Sequence, residues 1–343
     1  MVKPRAALEH WLNREWRRKG AAQILLLPLS WLFGALAALR RGCYRLGVCR
    51  VQSVGVPVIV VGNIAVGGVG KTPIVLALAN LLQGAGLRPG IVTRGYKGEA
   101  RGPREVSAED DATLVGDEAL LLARNSGCPV WLGANRVAAA KGLVAAHPDT
   151  DLILSDDGLQ HYRLARAIEI AVIDGRYGCG NKRLLPAGPL REPMRRLHSV
   201  DYVLKNGVAT AEYSVEIVGE CFYNVANPFR TTTAEAFRDR SVVAIAGIAN
   251  PQRFFDRLRM LKIRFQSFAF PDHWGFAEED LEFAEADVII MTEKDAVKCA
   301  EFASEKCWYL KIEARLNAAF KADFLYRVRR LLGRANPPQA AAE

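Results

Sequence analysis

The residues with the most evident chemistry lie in VGNIAVGGVGKTP, positions 61–73. Gly67, Gly68 and Gly70 leave the backbone free to curl, so that successive N–H groups around Val69 can point at phosphate oxygens. Lys71 would reach the β- and γ-phosphates of a nucleotide, and Thr72 would ligate Mg²⁺. Pro73 falls at the start of the following helix, where its missing N–H costs little. The strict phosphate-loop pattern asks for a glycine five residues before Gly70, and that position is Ala65. Gly62 lies near enough to serve a shifted turn.

A second acidic feature suits the first. DLILSDDGLQH, positions 151–161, reads as an apolar strand ending in Asp156 and Asp157, with Gln160 and His161 just beyond. The end of such a strand is where a Mg²⁺-binding aspartate belongs in a phosphate-loop protein. Either acid could take that role. Gly116-Asp117-Glu118 opens a helical stretch, and acids are favoured in a first helical turn for electrostatic reasons alone. The segment GCGNKRLLPAGPLREPMRRL, positions 178–197, cannot be one regular helix. It reads either as a solvated loop or as an ordered one that offers Arg191, Arg195 and Arg196 to anions. His273 in FPDHWGF follows a strand, and a lone histidine is by itself more often structural. Lys294 and Asp295 in TEKDAVK do not form the Asn-Lys-x-Asp arrangement that would support guanine recognition.

The elements that must hold these residues alternate. Short apolar runs at 57–63, 89–95, 129–133, 151–156, 169–175 and 201–206 are separated by helical stretches at 74–86, 116–126 and 134–147. That pattern predicts a mainly parallel sheet with helices on both faces. Residues 211–219 and 220–227 read as two alternating strands, a linker hairpin within 207–235. A second, smaller α/β series follows over 236–330, with strands at 241–251, 263–270, 287–296 and 307–314 and a basic helix near 317–333. The tail, 331–343, is expected to fray.

Composition narrows the classes. Charged residues make up 24% of the 343, and the net charge is +9. Ten Lys/Arg within residues 1–50 face only Glu9 and Glu15, so the rest of the chain is nearly neutral. A nucleic-acid reader would spread basic charge over its folded body, and no nucleic-acid partner is expected. Seven scattered cysteines with no CxxC pair argue against a disulfide framework or a zinc site. The basic residues bracket AAQILLLPLSWLFGALAAL, positions 21–39, about 28 Å long if helical. Pro28 and Gly34 interrupt it, and Trp11, Trp16 and Trp31 suit a membrane interface. A helix lying in the interface among anionic lipids fits as well as a span. A buried core helix with basic ends is the remaining alternative.

Taken together, these motifs resemble one family, the tetraacyldisaccharide 4′-kinases of lipid A biosynthesis. The resemblance rests on VGNIAVGGVGKTP, TRGY (93–96), GDE (116–118), DDGLQH (156–161), GNKRLLPAGPLREP (180–193), GIANP (247–251), FPDH (270–273) and TEKDAVK (292–298). Val69 stands where many members have threonine, and Ala249 varies the GIGNP-like loop. The resemblance implies an ATP- and Mg²⁺-dependent kinase at the cytoplasmic face of the inner membrane, held there peripherally or by a single-pass N-terminal anchor. Its acceptor would be the 4′-hydroxyl of a tetraacylated glucosamine disaccharide 1-phosphate, and it would act as a monomer. It also implies Asp117 as the acceptor-activating carboxylate, paired with His273. Lys71 would neutralise the transferred phosphate, with Mg²⁺ held by Thr72 and Asp156 or Asp157. Arg94, Glu118, Gln160, His161 and Arg191 are the candidate contacts to substrate. A membrane-tethered phosphate-loop ATPase switch is the competing function, but proteins of that kind carry a lysine where this chain has Val66.

Overall fold

The computed structural model describes residues 15, 16 and 20–333. Residues 1–14, with Trp11, residues 17–19 and the tail beyond Gly333 lie outside the described residues. The apolar segment forms two helices, α1 (Ala21–Leu25) and α2 (Leu27–Arg45). Pro28 falls in the first turn of α2, the position where a proline disturbs a helix least. Among the described residues no helix is long and apolar enough to cross a membrane.

The first α/β unit runs β1 (Val58–Gly62), α3 (Lys71–Gly84), β2 (Pro89–Thr93), β3 (Arg104–Glu105), α4 (Ala112–Val115), α5 (Asp117–Ser126), β4 (Val130–Leu132), α6 (Arg136–Ala146), β5 (Leu152–Asp156), β6 (Ile168–Asp174), β7 (Tyr202–Asn206) and β8 (Ser214–Val218). Strand β1 lies between β5 and β6, parallel to both. Its residues divide by pleat. Ile59 and Val61 pack with Ile74, Leu78 and Leu82 of α3 on one face. Val58 and Val60 pack with Val137, Ala140 and Leu143 of α6 on the other. A strand buried on both faces has no polar side, which is why its sequence is a continuous apolar run.

The second unit holds β9 (Cys221–Asn224), β10 (Thr231–Thr233), β11 (Val242–Ala246), α7 (Pro251–Met260), β12 (Gln266–Ala269), β13 (Val288–Thr292), α8 (Glu293–Cys299) and β14 (Cys307–Leu310). Its sheet order is β10-β9-β14-β13-β11-β12. The chain then returns. β15 (Glu313–Leu316) pairs antiparallel with β8 at the edge of the first sheet. α9 (Ala318–Leu331) buries Phe320, Phe324 and Val328 in the first core.

The structure departs from two expectations. β8 and β9 do not form a hairpin: β8 belongs to the first sheet and β9 to the second. The second unit therefore does not extend to residue 330. Long-range partners decide both points, since β15 offers β8 a full antiparallel ladder and α9 carries three residues of the first core.

Candidate active site

The loop between β1 and α3 is locked from behind. Val66 N–H donates to Pro189 O at 2.8 Å, and Arg191 N–H donates to Ile64 O at 2.7 Å. Ala65 pairs with Leu190 as an isolated bridge. Residues 180–193 thus form an ordered backing for the phosphate loop. The position that departs from the strict glycine pattern is one that pairs with this backing strip. Gly62 is not a turn either. It ends β1, and a Cβ there would meet Leu159 at 2.8 Å. Gly70 is left-handed at φ +82°, a conformation that favours glycine, and it caps α3 at Lys71. Asn206, at the end of β7, donates to Val69 O at 3.0 Å and fixes the loop's far side. No acid occupies the first turn of α3, so its positive end stays available for an anion.

Asp156 ends β5 and Asp157 follows it, but their surroundings differ. Asp157 adopts φ +48°, unusual for a non-glycine residue. Its carboxylate sits 3.4 Å from Lys71 Nζ and 3.2 Å from Arg191 Nη1. Burial works against its charge, but Lys71 and Arg191 outweigh that and hold its pKa below the usual range. Asp156 is buried, and its Oδ1 has no hydrogen-bond partner among the described residues. Burial, then the nearby Glu118, push its carboxyl up to about 7. A buried, unpartnered acid that lines the same cleft as Thr72 and the phosphate loop fits a metal ligand, because a divalent cation would supply the missing partner. Gln160 spans the same gap, with Nε2 donating to Asn63 O at 3.0 Å. His161 lines the cleft, and burial and the nearby Arg136 pull its pKa down to about 4, so the ring is neutral.

The second unit closes the cleft with a polar cluster. Asp117, the first residue of α5, is only 6% exposed. Its Oδ2 lies 3.0 Å from His273 Nδ1 and 3.9 Å from Lys298 Nζ. Burial pushes the Asp117 pKa up, but the hydrogen bond to His273 and the nearby positive charge, that of Lys294 first, outweigh it, so the carboxyl titrates below its usual value. His273 adopts φ +59°, at a cost on the order of 1–3 kcal/mol that its surroundings must offset. Its own N–H donates to Gly247 O at 3.0 Å. Gly247 N–H in turn donates to the buried Asp295, which also accepts from Thr292 Oγ1 and Lys298 Nζ. The GIANP, FPDH and TEKDAVK motifs therefore form one hydrogen-bonded frame that aims the imidazole at Asp117. Across the same boundary, Lys97 donates to Asp272 O, Asn125 to Glu293, and Arg253 pairs with Asp174.

These groups surround one cleft of about 1490 Å³. Gly67 to Pro73, Arg94, Glu118, Asp156, Asp157, Gln160, His161, Arg191 and His273 all line it, and Asp117 is hydrogen-bonded to His273 at its edge. Phe33, Leu36 and Ala37 of α2 line it as well, so the N-terminal helix forms part of the wall. Of the three arginines weighed within 178–197, Arg196 is not available to a ligand. It is buried and spent on Glu169 at 2.5 Å and Glu192 at 3.4 Å. Sequence reasoning missed Arg136, which lines the cleft, is buried, donates to Gly133 O, and leaves Nε unpartnered among the described residues. Burial lowers its pKa to about 10, against the pull of Asp156 and Asp157, so it stays charged at neutral pH. It starts a helix just after a strand, the kind of place where α/β ligands bind, and that signal was available.

Comparison with known proteins gives a consistent result. The tetraacyldisaccharide-1-P 4′-kinase family model matches residues 22–329. The tetraacyldisaccharide 4′-kinase of Azoarcus sp. (strain BH72) is 49% identical over 321 residues, covering 91% of this chain and 94% of that protein. The enzyme of the same name from Methylobacillus flagellatus is 44% identical over 328 residues, covering 95% and 98%. A crystal structure of LpxK from Aquifex aeolicus in complex with ATP is 28% identical, with a TM-score of 0.77 over 90% of this chain and 99% of that one.

Proposed function

Because the chain belongs to the tetraacyldisaccharide-1-P 4′-kinase family, we propose that its two units close on ATP and a lipid acceptor, and that Asp117 takes the acceptor proton. The enzyme moves the γ-phosphoryl group of ATP to the 4′-hydroxyl of a tetraacylated disaccharide 1-phosphate. This membership displaces the ATPase-switch alternative.

Phosphoryl transfer needs positioning and charge neutralisation more than covalent help. The loop N–H groups and the start of α3 would bind the β- and γ-phosphates, with Lys71 beside them. Asp157 holds Lys71 in place before substrate arrives. Thr72 and Asp156 would hold Mg²⁺, which neutralises charge on the phosphate oxygens when bound. Asp156 is favoured over Asp157 because its oxygen lacks a partner, while Asp157 is already paired with Lys71 and Arg191.

The observation that carries the reading is the Asp117–His273 hydrogen bond at 3.0 Å, made across the two units at the cleft that His273 and the phosphate loop both line. It uses Oδ2, so Oδ1 is the oxygen that would accept the 4′-hydroxyl proton. His273 would orient the carboxylate from the second unit, which makes full activity depend on closure. Arg94, Arg136 and Arg191 offer cationic donors to the acceptor's 1-phosphate and to the nucleotide.

The lipid end of the acceptor is matched by α2. Leu25 of α1 and Leu29, Leu32, Leu36 and Leu39 of α2 recur at helical spacing and are 55–81% exposed, with Trp31 beside them. Ser30 on the opposite side donates to Leu184 O of the loop backing. An apolar face of this kind, tied to the site on its other side, suits a helix lying in the membrane interface. The acyl chains would then stay in the bilayer while the sugar enters between α2 and the phosphate loop.

The test is direct transfer. The purified full chain is incubated with ATP labelled on the γ-phosphate, Mg²⁺ and detergent-dispersed disaccharide lipid. Label on the lipid supports the kinase reading; label only in free phosphate removes it.

A further inference from the structure

His273 has a second neighbour that the phosphoryl-transfer chemistry does not use. Lys294, from the first turn of α8, places its Nζ 3.1 Å from His273 Nε2. The same ammonium lies 3.3 Å from Glu118 Oε1 and 3.7 Å from Asp272 Oδ1. A lysine ammonium can only donate. At 3.1 Å the ring nitrogen facing it must accept, so Nε2 carries a lone pair. The single proton of a neutral imidazole is then on Nδ1, the nitrogen facing Asp117 at 3.0 Å.

The charge on Lys294 is secured from several directions. Burial works against it, but Glu118, then Asp272 and Asp117, outweigh that and raise its pKa above the usual lysine value. Three of the groups facing the ring fit one proton arrangement. Asp117 accepts from Nδ1, Lys294 donates to Nε2, and Tyr96 covers one side edge-on at 5.3 Å. Asp272 Oδ1, 3.7 Å from Nε2, is the one group that would favour a proton there. Lys294 donates to Nε2 and stands 3.7 Å from that carboxylate oxygen, close enough to offset its charge but not to hydrogen-bond it. Lys298 and Asp295 complete the surroundings on the Asp117 side.

We propose that Lys294 is a positioning residue that holds His273 neutral as the Nδ1–H tautomer, so that Asp117 is oriented by a neutral donor and keeps its strength as a base. Without the ammonium, Nε2 would face the Asp272 carboxylate. The ring would then take a second proton between two acids, and the resulting imidazolium would hold the Asp117 charge too tightly for it to accept a proton readily. The inference rests on Asp117 being the base, but the proton positions on the ring can be read without turnover.

The experiment uses the full chain in detergent with ¹⁵N-labelled histidine. The His273 signals are assigned by their loss in His273→Gln. In the wild type at neutral pH, the His273 spectrum should show a proton on Nδ1 and a lone pair on Nε2. In Lys294→Met both nitrogens should become protonated. Its kcat should fall roughly tenfold to a hundredfold while the KM for ATP stays within about twofold. Lys294→Arg, which keeps a cationic donor, should restore the wild-type ring spectrum and part of the rate. A proton on Nε2 in the wild type overturns the proposal, and so does a ring spectrum unchanged in Lys294→Met. The wild-type spectrum decides the first point even if the methionine variant fails to fold. If the ring behaves as described but Asp117→Asn keeps full turnover, the tautomer assignment stands and the base assignment falls.

Discussion

Asp117 and His273 are 156 residues apart in sequence, yet their side chains meet at 3.0 Å across the boundary between the two α/β units. One comes from the start of α5 in the first unit. The other comes from a loop whose frame is built by Gly247 and Asp295 of the second unit. Geometry of this kind couples the chemistry to how the units sit together.

That coupling can be measured by a double-mutant cycle. His273→Ala should lower kcat by roughly tenfold to a thousandfold with little change in the KM for ATP. Added to Asp117→Ala it should cost almost nothing further, because the imidazole works through the carboxylate. Full additivity in steady-state kinetics would mean that His273 has a separate task.

The two aspartates of DDGLQH should separate on metal dependence. Asp156→Asn should remove most of the extra thermal stabilisation that Mg²⁺ adds to ATP. Asp157→Asn should leave much of it, because that carboxylate is already paired with Lys71 and Arg191. Thermal unfolding with ATP, with and without EDTA, reads both. The reverse ranking would give the metal to Asp157.

Membrane association should follow the exposed face of α1 and α2. Changing Leu25, Leu29 and Leu32 together to glutamate should lower co-sedimentation with vesicles of anionic phospholipid by at least about tenfold. The circular dichroism of the folded body should not change. Undiminished binding would place the membrane contact elsewhere.

Glu293 gives a pH-dependent stability effect. Burial pushes its carboxyl up to about 7 from an ordinary 4.5, against the pull of Lys311 and a hydrogen bond from Asn125. The unfolded chain therefore loses this proton first as pH rises, and the folded state loses stability from about pH 4.5 up to about 7. Glu293→Gln keeps the acceptor for Asn125 and removes that loss. It should match the wild type near pH 4.5 and exceed it by roughly 1–3 kcal/mol at pH 8 in urea unfolding. An equal difference at both pH values would assign the effect to packing instead.

The phosphate loop was legible because its chemistry is continuous in sequence. Strand, glycines, Lys71 and Thr72 follow one another, and backbone geometry does the rest. The parallel strands were legible for a similar reason, since burial on both faces leaves unbroken apolar runs such as Val58–Gly62. The division of β8 from β9 was not. Two adjacent alternating strands look like a hairpin, and only the distant β15 shows that β8 belongs to the other sheet. The same limit applied to side chains. Spacing could not tell Arg191, which faces the cleft, from Arg196, which is spent in a buried ion network. Nor could it bring Asp117 to His273, a pairing that entered through the family resemblance, or place Lys294 behind the imidazole.

The central claim is that Asp117, hydrogen-bonded to His273 of the cleft wall, is the base for transfer to the acceptor. The most direct measurement compares wild type and Asp117→Asn in ATP affinity and in label transfer from ATP to the disaccharide lipid. Asparagine fills the same space and can still accept from His273, but it cannot take a proton. ATP affinity should remain within about threefold while transfer falls by roughly 10²–10⁴. Transfer close to the wild-type rate with intact ATP binding would contradict the account.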